Sequence, residues 1–147
     1  MDGFLYIPFW RAGVAKNVTY RTNLYFAPLS RSPVDLAFYL YENGGKPWAG
    51  KTFVLEIDQQ EGKMNTDNNG MFQVQVGAGQ TLRVEINVVD NEYGTGEVHV
   101  VGGSEPFPML ARGDLEMFAA EKTGGFEIST SEITITGARP IIMEPGK

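Results

Sequence analysis

Glycine and proline interrupt this chain too often for long helices. Eighteen glycines and eight prolines are spread over 147 residues; proline breaks a helix interior and glycine weakens it. Between the breaks, apolar residues recur at every second position, the mark of a strand with one buried face. Leu82, Val84, Ile86 and Val88 alternate with Arg83, Glu85 and Asn87. Val34, Leu36, Phe38 and Leu40 alternate with Asp35, Ala37, Tyr39 and Tyr41, and Phe53, Leu55, Ile57 and then Phe72, Val74, Val76 repeat the pattern. From Val14 to Phe26 the alternation reads as one continuous strand, with Lys16, Val18, Tyr20, Thr22 and Leu24 on the face of its ends. Residues 97–101, 126–136 and 139–143 are shorter candidates. Residues 114–122 read in two ways. Asp114 can cap a helix that Gly124 stops, or residues 115–121 can pair with 126–130 across a Lys-Thr-Gly-Gly turn, which suits the rest of the chain better. The expected fold is all-β, an antiparallel sandwich of roughly eight to ten strands over residues 14–147. Residues 1–13, broken by Pro8, read as an aromatic arm or an edge strand.

Composition narrows the chemistry. Without cysteine the chain has no disulfide, no thiol nucleophile and no Cys-ligated zinc, and with His99 as its one histidine it has no His-rich metal site. No cofactor and no catalytic residue is expected. A net charge of −6 argues against a nucleic-acid partner. No apolar run approaches the roughly 20 residues that cross a bilayer, so no membrane partner is expected. The opening Met-Asp-Gly-Phe-Leu-Tyr-Ile-Pro-Phe-Trp lacks the basic and small-residue features of a secretory signal, and synthesis in a cytoplasm without export is the expectation.

Charge and aromatic content are uneven. Residues 1–48 carry five Lys/Arg against three Asp/Glu, net +2, so residues 49–147 carry −8. Most of the aromatic side chains lie in the same front third. A mildly basic aromatic head and an acidic remainder are complementary surfaces, from which a homo-oligomer or other protein subunits as partners follow as expectations. The uneven composition is also what a core built from the first strands would give. Phe4, Tyr6, Phe9, Trp10, Tyr39, Tyr41 and Trp48 are the candidate contact residues. Tyr39 and Tyr41 point opposite to Phe38 and Leu40, and with Trp48 they would form a platform for carbohydrate, the alternative partner.

The segment Asn43-Gly44-Gly45-Lys46-Pro47-Trp48-Ala49-Gly50, followed by Thr66-Asp67-Asn68-Asn69-Gly70-Met71-Phe72, resembles the N-G-x-P-x-x-G and T-D-x-x-G-x-F connections of carboxypeptidase regulatory-like, transthyretin-like and bacterial Ig-like domains. The resemblance covers about residues 34–88 and implies an Ig-like or transthyretin-like sandwich. The run Phe38-Tyr39-Leu40-Tyr41-Glu42-Asn43-Gly44-Gly45-Lys46-Pro47 is similar to the opening strands of Ig-like domains in bacteriophage tail, baseplate and head-decoration proteins. That likeness implies a non-enzymatic structural or decoration component of a virion; a glycan- or cell-surface-binding module is the alternative. The hydrolases of the transthyretin fold use several histidines, which this chain lacks.

Four local motifs weigh less. Asn65-x-Asp67-x-Asn69-Gly70 begins like a calcium loop, but Val76 stands where the bidentate Glu belongs. Asp90-Asn91-Glu92 reads as an acidic turn before it reads as a calcium site. Arg112-Gly113-Asp114 is an integrin-recognition tripeptide in what would be a protruding loop, short enough to arise by chance. Asn17-Val18-Thr19 is a glycosylation sequon placed in a strand.

Overall fold

The computed structural model describes residues 4–102, 106–119, 127–135 and 141–143. Eleven strands are found among them: β1 (Phe4–Ala15), β2 (Val18–Pro28), β3 (Val34–Glu42), β4 (Thr52–Ile57), β5 (Gln60–Asn65), β6 (Met71–Val76), β7 (Leu82–Ile86), β8 (Glu92–Gly102), β9 (Phe107–Ala119), β10 (Glu127–Ile133) and β11 (Ile141–Met143). Every ladder between them is antiparallel. The pairing order is β5-β4-β7-β2-β1-β8-β3-β6, with β9 along β2 and both β10 and β11 on β9. The all-β expectation holds, and the antiparallel sheet curls until it is nearly closed into a barrel.

The expected continuous strand from Val14 to Phe26 is instead a hairpin. Lys16 takes a positive φ of 57°, and Gly13, Val14 and Ala15 pair with Tyr20, Thr19 and Val18. The paired Val14 and Thr19 share a face although their parity differs, so the turn reverses the phase, and the unbroken alternation across it does not report one face. Residues 114–119 are strand rather than helix, and Leu115 stands opposite Ser131 in the β9–β10 ladder. The turn between those strands lies outside the described residues. β9 also begins at Phe107, inside residues 102–108, which the pair Pro106 and Pro108 makes read as a loop in the sequence.

β1 is the strand that joins the two parts of the sheet. Its first residues, Phe4 to Ala12, lie along β8, and its last three lie along β2. Where β1 leaves β2, the buried Thr22 replaces the lost ladder contact: its Oγ1 accepts from the Arg11 N–H at 2.9 Å and donates to the Arg11 carbonyl at 2.7 Å. Gly13 marks the bend. With φ of 93°, it packs so closely that a Cβ would lie 2.0 Å from the Asp90 carbonyl oxygen.

The core fills the inside of this curl. Phe26 meets Phe38 edge-on at 5.1 Å, Phe38 stacks on Phe72 at 4.6 Å, and Phe53 of β4 reaches Phe72 of β6 at 4.2 Å. Contact between Phe53 and Phe72 sets β4, next to one end of the strand path, against β6 at the other end by side chains. Leu5, Ile7 and Trp10 are fully buried in the same cluster, so β1 is part of the chain's own core and not a free arm.

The two glycine-rich connections meet each other. The Gly70 carbonyl accepts from the Leu40 N–H at 2.9 Å, the Leu40 carbonyl accepts from the Trp48 N–H at 2.9 Å, and Thr66 donates its N–H to the Lys51 carbonyl while its hydroxyl accepts from the Lys51 N–H and donates to the Trp48 carbonyl. Asp67 closes its own turn, its Oδ1 accepting from the N–H groups of Asn69 and Met71. Gly70 has φ of 71°, and a Cβ there would sit 2.4 Å from the Leu40 oxygen; Gly50, with φ of 65°, faces open space. Gly70→Ala is therefore expected to cost more than about 3 kcal/mol, and Gly50→Ala only about 1 kcal/mol of backbone strain, in urea denaturation. Deleting residues 1–10 is expected to unfold the chain by circular dichroism, since burial of Trp10 alone is worth about 3–5 kcal/mol.

Candidate functional site

Alternation in β1, β8 and β3 sends Leu5, Ile7, Val98, Val100, Phe38 and Leu40 inward, each no more than 1% exposed. Their neighbours must then point outward. Strand register brings those neighbours into rows. Phe4 lies opposite His99, and His99 opposite Ala37; one row along, Tyr6, Glu97, Tyr39 and Met71 stand side by side across four strands. Tyr41 completes the group next to Thr95.

These side chains touch. The Phe4 ring stacks on the His99 imidazole at 5.3 Å, and Tyr39 meets the same imidazole edge-on at 5.4 Å. Tyr41 donates its hydroxyl to Glu97 Oε2 at 3.3 Å, and His99 Nε2 lies 3.8 Å from that oxygen. Burial, and then the Glu97 carboxylate, raise the Tyr41 hydroxyl above its ordinary pKa, so it stays a neutral donor. Phe4 is 43% and Tyr6 45% exposed, while Tyr39 and Tyr41 are half-buried.

Four of the seven expected contact residues thus share one outward face. The other three do not join them. A register shift between Ile7 and Trp10 changes the phase of β1, which turns Trp10 inward and leaves Phe9 beside Tyr93 at 6.5 Å. Trp10 and Trp48 pack together at 5.1 Å, both fully buried. Their indole N–H groups donate to the Thr95 carbonyl and to Glu92 Oε2. Neither tryptophan offers a ring to a partner, and the expected carbohydrate platform loses its largest member. His99 and Glu97, which the sequence left without a role, lie at the centre of the face. Their signal was their parity with Tyr93 along β8, but the partners across the strands depend on register.

The other polar residues are engaged among themselves. On the sheet formed by β4, β7, β2 and β9, Arg83 donates to Glu56, Glu61, Glu85 and Asn23 Oδ1. Arg21 holds Glu116 with two hydrogen bonds, 2.9 and 3.0 Å, and Asn23 donates to the same carboxylate. Its hydrogen bonding to Glu116 raises the Arg21 guanidinium above its ordinary value. Burial works to lower that of Arg83, but the carboxylates of Glu56 and Glu85 outweigh it and raise it.

Glu92 of the acidic turn is taken by Lys51 at 2.8 Å and by Trp48. Among the described residues no group of three His, Cys, Asp or Glu is placed to hold a metal ion. Arg112-Gly113-Asp114 does not protrude. It lies mid-strand in β9, with Arg112 paired to Asp114 at 3.0 Å and Gly113 packed on Ile133 and Leu24. A shallow hollow of about 180 Å³ is lined by Tyr25, Phe26, Ala27, Thr81, Leu110, Ala111 and Arg112.

The chain matches no protein-family model and no curated protein sequence.

Hydrogen bonding from Arg83 lowers the Glu56 carboxyl below its ordinary 4.5. A carboxylate depressed in the folded state stabilises it fully above the unfolded value and ceases to as pH falls through the folded one. Thermal melts are expected to lose stability as pH falls below the ordinary carboxylate range, and Glu56→Gln to flatten that decline while lowering the melting temperature slightly at neutral pH.

Proposed function

We propose that this chain is a non-enzymatic subunit of a larger protein assembly and docks on a neighbouring protein through the outer face of β1, β8 and β3. The observation that carries this reading is the collection of Phe4, Tyr6, Tyr39 and Tyr41 around His99 on that face. Aromatic side chains in a cluster with few charges are what the centres of protein interfaces are made of. A large apolar ring such as Phe4, 43% exposed beside Tyr6, costs solubility unless something covers it.

Two further observations support the reading. Ion pairs occupy Arg21, Arg83, Lys51, Glu56 and Glu92, leaving these charges committed to the fold. The bonded junction between residues 40–50 and 66–71 is the arrangement that the resemblance to Ig-like and transthyretin-like domains implies, and we take the curled sheet as a sandwich of that kind. The likeness of residues 38–47 to phage tail, baseplate and decoration proteins makes a virion the assembly we propose.

Phe4→Ser with Tyr6→Ser tests the face, because both side chains are exposed and their loss spares the core. Stability is expected to change by less than about 1 kcal/mol, while copurification with particles or partner subunits is lost. Unchanged association would overturn the reading, and binding to a glycan array that vanishes in this variant would replace it with a carbohydrate-binding one.

A further inference from the structure

The sheet path ends at β5 and at β6, and these two edges differ. β5 carries Glu61, Gly62 and Lys63, which discourage another strand from adding to it. β6 reads Met71-Phe72-Gln73-Val74-Gln75-Val76, with no charge, no proline and no glycine. Among the described residues, β6 pairs with β3 and with no other strand.

The hydrogen-bond phase of β6 follows from one contact. Leu40 donates to the Gly70 carbonyl at 2.9 Å, which makes 40/70 a hydrogen-bonded pair in the register that sets Tyr39 against Met71. Such pairs alternate along an antiparallel ladder. Phe72, Val74 and Val76 therefore bond to β3, while the backbone groups of Met71, Gln73, Gln75 and Gly77 point to the outer edge. Both ends of that edge are closed within the chain. Met71 donates to Asp67 Oδ1 at 2.9 Å and accepts from the Asp67 N–H at 2.9 Å. Gly77 donates to Gln80 Oε1 at 2.6 Å and accepts from the Gln80 N–H at 3.1 Å. Among the described residues, what remains open is the N–H and C=O of Gln73 and of Gln75.

We propose that β6 pairs antiparallel with β6 of a second copy of this chain, about a two-fold axis passing by Val74. In that register Gln73 faces the partner's Gln75, and Gln75 the partner's Gln73. An antiparallel pair of this kind exchanges both its N–H···O bonds, so every open group is satisfied and none is left over. The open edge is symmetric about Val74, as an isologous contact requires. The side chains agree: Val74 meets its own copy on one face, glutamine amides meet on the other, and no like charges are opposed although the chain is acidic. Met71 lies beside Tyr39, so the aromatic face continues to the join. The proposal builds on the assembly reading and names the chain's first partner as itself. An edge contact this short buries less than a standard interface, so the dimer is weak and concentration-dependent.

The test is sedimentation equilibrium on the full chain up to about 1 mM. Gln73→Lys with Gln75→Lys sets lysine against lysine in both pairs and is expected to weaken the dimer at least about tenfold. Gln73→Lys with Gln75→Glu sets lysine against glutamate in both and is expected to retain or tighten it. All these side chains are exposed, and unchanged melting temperatures check that the fold is intact. A wild-type monomer throughout this range overturns the proposal, as does equal dimerisation in all three proteins or equal loss in both variants. Phe4→Ser with Tyr6→Ser is expected to leave this dimer unchanged, so failure of the aromatic face and failure of the edge read out separately.

Discussion

β1 belongs to two ladders, and the shape of the molecule depends on that exchange. Along β8 it completes one set of strands; along β2 it enters the other. A strand that changes partners must pass a point where its backbone pairs with neither, and an unpaired buried amide is costly. The buried Thr22 solves this by offering one hydroxyl as both donor and acceptor to Arg11. Gly13 then permits the bend, because no side chain would fit against Asp90. With β1 fixed at both ends, the sheet has to curl, and the phenylalanines of β2, β3, β4 and β6 close on one another.

The outward face is a consequence of the same strand. As far as Ile7, β1 alternates strictly, which puts Leu5 and Ile7 in the core and Phe4 and Tyr6 outside. The shift after Ile7 reverses that phase, so Trp10 enters the core to meet Trp48. A single irregularity thus divides the aromatic N-terminal run into a part that holds the fold and a part that remains outside it. Aromatic pairs add about 0.5–1.5 kcal/mol beyond their burial. The Trp10–Trp48 contact lies wholly inside and serves stability; the Phe4–His99 stack, half in solvent, mainly fixes the shape of a surface.

Much of this was legible in the residues. The period-two runs at 34–41, 53–57, 72–76 and 82–86 are strands, with the inward residues where alternation puts them. Asp67 and Gly70 act as the T-D-x-x-G pattern requires, one closing the turn and the other allowing close approach. Less legible are the places where glycine or proline stands within or beside a strand instead of ending it: Pro8 in the shift before Trp10, Gly13 ahead of the hairpin at Lys16, and Pro108 inside β9.

By itself the sequence determined the strands that alternate cleanly, such as residues 34–41, 72–76 and 82–86, which side of each is apolar, and which chemistries are out of reach for lack of residues. These follow from local preferences and composition, which neighbours in the chain suffice to express. Only the tertiary structure decided that Phe4 lies against His99, that both tryptophans are internal, and that the edge of β6 is closed at Met71 and Gly77 but, among the described residues, open between them. Each of these depends on register between strands far apart in the chain. A shift of one residue would turn every side chain to the opposite face, and that choice is made by packing the whole core at once.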